Sequence, residues 1–152
     1  MRSRVVFLGL VIGILLAIIL YAGTRLVPID LVTPKGTGTI YIDNIPLTVT
    51  VADTVAERTQ GLSGRPRLAD NEGMFFVFEE ADRYGFWMKD MSFPIDIIWL
   101  SDEGFVIDID EAVSPESYPA VFKPDVPARF VLEVHSGFAR EHGIRQGSKI
   151  SF

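Results

Sequence analysis

Residues 5–23 form an unbroken apolar run, VVFLGLVIGILLAIILYAG, without a charge. After residue 38 the pattern changes to short apolar or alternating stretches cut by turn residues. Leu47, Val49 and Val51 alternate with Thr48 and Thr50, the period of a half-buried strand. That run and 39–42 flank Asp43-Asn44, which predicts a β-hairpin, and Pro46 places its second strand at an edge. Thr54 with Glu57 three residues on is a capping box, and Gly61 a natural stop, so a two-turn helix is expected over 53–61. Residues 63–72 read as a loop. The run GMFFVF at 73–78 reads as a strand covered on both faces, and 84–89 as a further strand. Residues 95–100 and 105–109 flank Ser-Asp-Glu-Gly, a second hairpin. Four prolines (Pro115, Pro119, Pro124, Pro127) stiffen a long loop over 111–127. A strand over 128–134, a short helix over 136–140 opened by Ser136 and closed by Gly143, and a last strand over 149–152 complete the chain.

About seven strands and two short helices predict a mainly β (α+β) fold, a small antiparallel sheet or open barrel, preceded by one N-terminal transmembrane helix. The organisation is a membrane anchor or signal segment at 1–25, a linker at 26–38 and one soluble domain at 39–152. As a helix the 5–23 run spans about 28 Å, close to the hydrocarbon thickness of a bilayer. Arg2 and Arg4 precede it and Arg25 follows, so the positive-inside rule puts the N-terminus in the cytoplasm and the domain in the periplasm or outside the cell. A cleaved signal peptide is the alternative, but its apolar core is shorter, and Leu20 is large for the −3 position of a cut after Ala22.

The net charge of −6 understates the acidity of the domain, because residues 1–25 hold three arginines and no acid, leaving −9 beyond them. So acidic a domain repels phosphate backbones, and nucleic acid is not expected as a partner. There is no cysteine, hence no disulfide, thiolate metal site or cysteine nucleophile.

Candidate chemistry concentrates in 86–99. Asp96 lies between Ile95 and Ile97, so its carboxylate is expected to be at least partly buried and to need backbone donors or a cation. Lys89, Arg58, Arg65 and Arg129 are the candidate cations. A structural ion pair or a turn-capping role is the favoured reading; a polar pocket floor is the other. Asp108, Asp110 and Glu111 lack the spacing of a calcium loop and read as a solvated acidic face. His135 and His142 have no partners for zinc, and no cofactor is expected. Trp87, Trp99, Phe75, Phe76 and Phe86 read as core more readily than as a sugar-stacking surface.

Taken in order, Val51-Ala-Asp-Thr, Glu57-Arg-x-Gln-Gly-Leu62, Glu72-Gly-Met-x-Phe-x-Phe78, Phe86-Trp-Met-Lys89, Pro94-Ile-Asp-Ile97, Phe130-Val-Leu-Glu-Val134 and Gly143-Ile-x-x-Gly147 resemble the bacterial and archaeal family known as domain of unknown function 192. The resemblance implies a compact, mainly β domain, often behind a signal peptide or anchor, with no assigned activity. Its motif positions fall here on Arg58, Gln60, Gly61, Gly73, Trp87, Met88, Lys89, Asp96, Glu133 and Gly147. The chain departs from the pattern at Asp90, His135-Ser136 and Ser148.

Three readings of function follow. The first is a non-catalytic binding module of the cell envelope, taking a small molecule or peptide in a pocket formed by Arg58, Trp87, Lys89, Asp96 and Glu133. The second is a hydrolase using Asp96 with Lys89 or Glu133. The third is a structural partner of another envelope protein.

Overall fold

The computed structural model describes residues 36–151. The apolar run at 5–23, and with it the expected membrane helix or signal segment, lies outside the described residues, as does most of the linker. Among the described residues no helix is long and apolar enough to cross a membrane.

Seven strands, β1 (Thr37–Ile42), β2 (Ile45–Ala52), β3 (Glu72–Asp82), β4 (Ile95–Leu100), β5 (Val106–Val113), β6 (Ala128–His135) and β7 (Ile150–Ser151), form one sheet. Two short helices, α1 (Val55–Gln60) and α2 (Phe138–His142), complete the regular structure, with a 3₁₀ turn at Pro115–Ser117. The strand order is β5-β4-β6-β3-β2-β1-β7. The sheet curls into a half-barrel, and its outer strands meet at one corner. There Val106 N–H donates to the Ser148 carbonyl (2.8 Å) and Gly147 N–H to the Val106 carbonyl (2.9 Å).

The first hairpin forms as expected, with Asp43 and Asn44 both at positive φ, the geometry of a two-residue turn that follows the strand twist. The sheet is mixed, not antiparallel as expected, because β2 and β3 run parallel. A parallel neighbour requires a crossover, and α1 with the loop after it carries the chain from Ala52 back to Glu72.

The expected strand at 84–89 is absent. Its backbone forms only an isolated bridge outside the sheet, between Phe86 and Phe122, which exchange both N–H···O bonds (2.8 and 2.9 Å). Its rings pack over the sheet instead, with Phe86 edge-on to Phe76 and to Trp99.

The curled sheet buries two cores, one on each face. Ile40, Val49, Phe75, Ile98, Leu132 and Val134 fill the concave face, closed by Phe138 and Ala139 of α2. Phe76, Ile97, Trp99 and Val131 lie on the other face, beneath Leu62, Leu68 and Met88. The alternation explains the split, since neighbours along a strand point to opposite faces.

Asp96 points to the first of these faces and is fully buried (0% exposed). Among the described residues its carboxylate takes no cation. Oδ1 accepts from Ala112 N–H (2.9 Å) and Gly137 N–H (3.1 Å), and Oδ2 from Gly137 N–H (3.1 Å) and Ala139 N–H (3.0 Å). It thereby caps α2 from another strand. The helix begins at Phe138, later than expected, and Gly137 stands at its N-cap in the left-handed region, without a side-chain cap from Ser136 or any other local residue. The same carboxylate holds Ala112, a non-glycine residue at φ +52°, where β5 bulges against β4. Asp96 therefore fixes a strand, a bulge and a helix start at once. Asp96→Ala leaves three N–H groups unpaired, those of Gly137 and Ala139 buried, and is expected to cost about 3–5 kcal/mol in urea unfolding, with Asp96→Asn in between.

Candidate functional site

The capping box of α1 is formed: Glu57 N–H donates to Thr54 Oγ1 (3.2 Å) and Thr54 N–H to Glu57 Oε2 (3.0 Å). The helix so anchored carries Arg58, whose Nη1 donates to the carbonyls of Asp53 (2.6 Å) and Val77 (2.8 Å). The guanidinium lies 5.1 Å from the centre of the Phe78 ring, a cation–π contact. Arg58 thus fastens the helix to β3. The turn after the helix is tied to the segment opposite, with Ser63 Oγ donating to the Lys89 carbonyl (2.8 Å) and Gly64 N–H to the Asp90 carbonyl (2.9 Å).

Between these two walls is a cleft of about 520 Å³, the size of a small-molecule site. Arg58, Gln60 and Ser63 contribute to one side, Tyr84, Phe86 and Trp87 to the other, and Phe76, Phe78 and Glu133 to the sheet beneath. Tyr84 stacks on Phe78 with centroids 3.6 Å apart and rings within 10° of parallel, and its hydroxyl donates to the Glu80 carbonyl (2.9 Å). Trp87 keeps 49% of its surface exposed at the edge of the cleft, the opposite of what a core aromatic does. The remaining candidates, Phe75, Phe76 and Trp99, are core residues, and the Trp99 indole N–H donates to Asp110 Oδ2 (2.9 Å).

Glu133 is the unusual member. It sits mid-strand in β6, paired with Met74 of β3 on one side and Ile97 of β4 on the other. Only 6% of it is exposed, and its Oε2 has no hydrogen-bond partner among the described residues. Burial without a compensating charge pushes its carboxyl up from 4.5 to about 8. At neutral pH it is mostly a neutral acid, able to donate one hydrogen bond and accept others.

Of the five residues singled out in the sequence, the structure brings Arg58, Trp87 and Glu133 to this one cleft. Lys89 is exposed, and only its backbone carbonyl joins the wall. Asp96 is cross-strand neighbour to Val134, and Ile97 to Glu133, so Asp96 and Glu133 point to opposite faces of the sheet. With its carboxylate enclosed by backbone amides, Asp96 converges with neither Lys89 nor Glu133 on a common substrate, as hydrolysis by that pair requires.

Tyr84, Phe78 and Gln60 also line the cleft and were not among the candidate site residues, although Gln60 is one of the motif positions. Gln60 stands in the capped-helix motif, and Tyr84 precedes the Phe86-Trp87 pair, but only the pairing of distant segments puts them together. His135, two residues beyond Glu133, also has a buried, unpartnered Nε2, while its Nδ1 lies 3.1 Å from the Ser136 carbonyl. Among the described residues no three His, Asp or Glu side chains gather in a way that could hold a metal ion.

The Glu133 carboxyl links stability to pH. In the unfolded chain it ionises near 4.5, in the native protein near 8, so between these values the native state keeps a proton the unfolded state has lost. Its contribution is complete below about pH 4.5, declines by up to about 1.4 kcal/mol per pH unit, and is exhausted above about pH 8. Glu133→Gln is expected to flatten this decline and to be the more stable protein at about pH 9, as measured by urea unfolding across the range.

The family profile of DUF192, described as Uncharacterized ACR, matches residues 38–152. Two solved structures are similar. One is a proposed transcription regulator from Sinorhizobium meliloti 1021, with 27% identity, a TM-score of 0.73, and 78% of this chain and 95% of that one covered. The other is a protein of unknown function from Novosphingobium aromaticivorans DSM 12444, with 28% identity, a TM-score of 0.72, and 80% and 89% covered. No curated protein matches the chain. The ordered motifs, the sheet they build and the extent of the match assign this chain to the DUF192 family of uncharacterised proteins.

Proposed function

We propose that the protein is a non-catalytic binding module of the cell envelope, held on its N-terminal apolar segment, and that the cleft between α1 and the 84–91 segment takes a small molecule or a peptide side chain. The observation that carries this reading is Glu133, a buried carboxyl without a partner, on the floor of a cleft walled by aromatic rings. A buried polar group left unpaired costs a folded protein on the order of 1–3 kcal/mol, a cost that a bound partner removes. The mostly apolar lining with a few convergent polar groups is the usual composition of a ligand pocket.

Hydrolysis by Asp96 has no support in this geometry. A role in transcription, carried over from the Sinorhizobium meliloti protein, would have to overcome the −9 charge beyond residue 25. The envelope address rests on the 5–23 run and the arginines before it.

Screening small molecules and short peptides by protein-observed NMR is expected to shift Trp87 and Tyr84 signals together. Trp87→Ala is expected to weaken the hits at least about tenfold while changing unfolding free energy by no more than about 0.5 kcal/mol, since the side chain is half exposed. Hits that leave those signals unmoved would contradict the site. In spheroplasts, added protease is expected to digest the domain; a protected domain would contradict the address.

A further inference from the structure

The composition of the cleft narrows what it takes, and this inference rests on the binding reading above. We propose that the ligand is an organic cation, an ammonium group on a small apolar body, with the Glu133 carboxylate as its counter-ion and the rings of Tyr84, Phe86 and Trp87 around it.

Three observations converge. First, the buried acid faces the cleft with Oε2 unpartnered. The one cation among the lining residues, Arg58, has its Nη1 tied to two backbone carbonyls and its guanidinium carbon 5.1 Å from the centre of the Phe78 ring, and it leaves Glu133 Oε2 without a partner. Glu133 therefore has a vacancy for positive charge that none of the described residues fills.

Second, the neighbouring surfaces are aromatic. Ring faces attract cations, ammonium groups included, most strongly where water is displaced. Third, the charge around the site favours the same sign. Glu79 lines the cleft as well, and the chain beyond residue 25 carries −9, a field that concentrates cations and repels anions. An anionic ligand would meet Glu133 and Glu79 with a single lining cation, Arg58, whose Nη1 already donates to two carbonyls.

The ammonium enters with its charge, Glu133 gives its proton to solvent, and an ion pair remains; no covalent bond changes. Arg58 on α1, Glu79 on β3 and Tyr84 on the opposite wall are the other titratable groups lining the cleft, and His135 is the next on β6. A neutral ligand accepting a hydrogen bond from the protonated acid would leave that proton where it is.

The test compares 2-phenylethylamine with 2-phenylethanol, which share a body and differ in charge, on the full-length protein. Calorimetry in buffers of different ionisation enthalpy counts the protons, and the Trp87 indole N–H signal reports the place. The amine is expected to bind at least about tenfold more tightly than the alcohol and to shift the Trp87 signal. It should release close to one proton at pH 7, where Glu133 is roughly nine-tenths protonated. Glu133→Gln is expected to abolish the preference for the amine. The proton count is read on the native chain, so it stands even if that variant does not fold.

Equal binding of both compounds at Trp87 without proton release would overturn the cationic class and leave the cleft as a site for neutral ligands. A preference that survives Glu133→Gln would overturn the role of Glu133. If neither compound moves the Trp87 signal, the binding reading of the cleft falls with the proposal.

Discussion

The structure turns on the alternation of two neighbouring strands, β4 and β6, which places one buried carboxyl group on each face of the sheet. Asp96 and Glu133 occupy adjacent cross-strand positions, yet their environments are opposed. On the concave face Asp96 is enclosed by the backbone amides of Ala112, Gly137 and Ala139, and holds β5 and α2 in place. On the other face Glu133 meets Met74 and Ile97 as its cross-strand neighbours, and its Oε2 stays unpaired. A buried carboxylate satisfied by rigid donors is an architectural element; one left unsatisfied beside a cleft is a reserve of unspent interaction. The same side-chain chemistry thus serves structure on one face and is left without a partner among the described residues on the other.

The cleft exists because the second face is covered unevenly. The concave face is filled by the opposing walls of the curled sheet and closed by α2. The other face is roofed by a helix of six residues, its turn, and an irregular segment that carries Tyr84, Phe86 and Trp87. Two short covers joined by Ser63–Lys89 and Gly64–Asp90 contacts leave a gap over Phe76, Phe78 and Glu133. Arg58 keeps that gap in shape by fastening α1 to β3 through the Val77 carbonyl and the Phe78 ring.

Local chemistry was legible in the sequence. The Asp43-Asn44 hairpin and the Thr54–Glu57 capping box are set by residues two to four positions apart, and both formed. What depends on distant pairing was not. The parallel β2–β3 contact follows from a crossover, and neither strand carries a mark of its partner's direction. Residues 84–89 have the composition of a strand, but Phe86 packs edge-on to Phe76 and Trp99 and its backbone pairs only in an isolated bridge with Phe122. The α2 cap comes from Asp96, 41 residues away from Gly137, so Ser136 was the natural choice from sequence alone. For the site, Asp96 drew attention because an acid inside IDII is conspicuous; Glu133 inside FVLEV is equally so, but only the register of β6 shows which of the two faces an opening. Membership of DUF192 adds the fold and its ordered motifs, and leaves the chemistry to these residues.

The central claim is that Glu133 is a neutral, unpaired acid on the floor of a ligand cleft. Its side-chain carboxyl carbon, followed by ¹³C NMR as pH is raised on the ligand-free protein, tests that directly. A protonated carboxyl at pH 7 and a midpoint near 8 are expected. A midpoint at or below the ordinary value of 4.5 would mean that Glu133 already has its partner, and the claim would be contradicted.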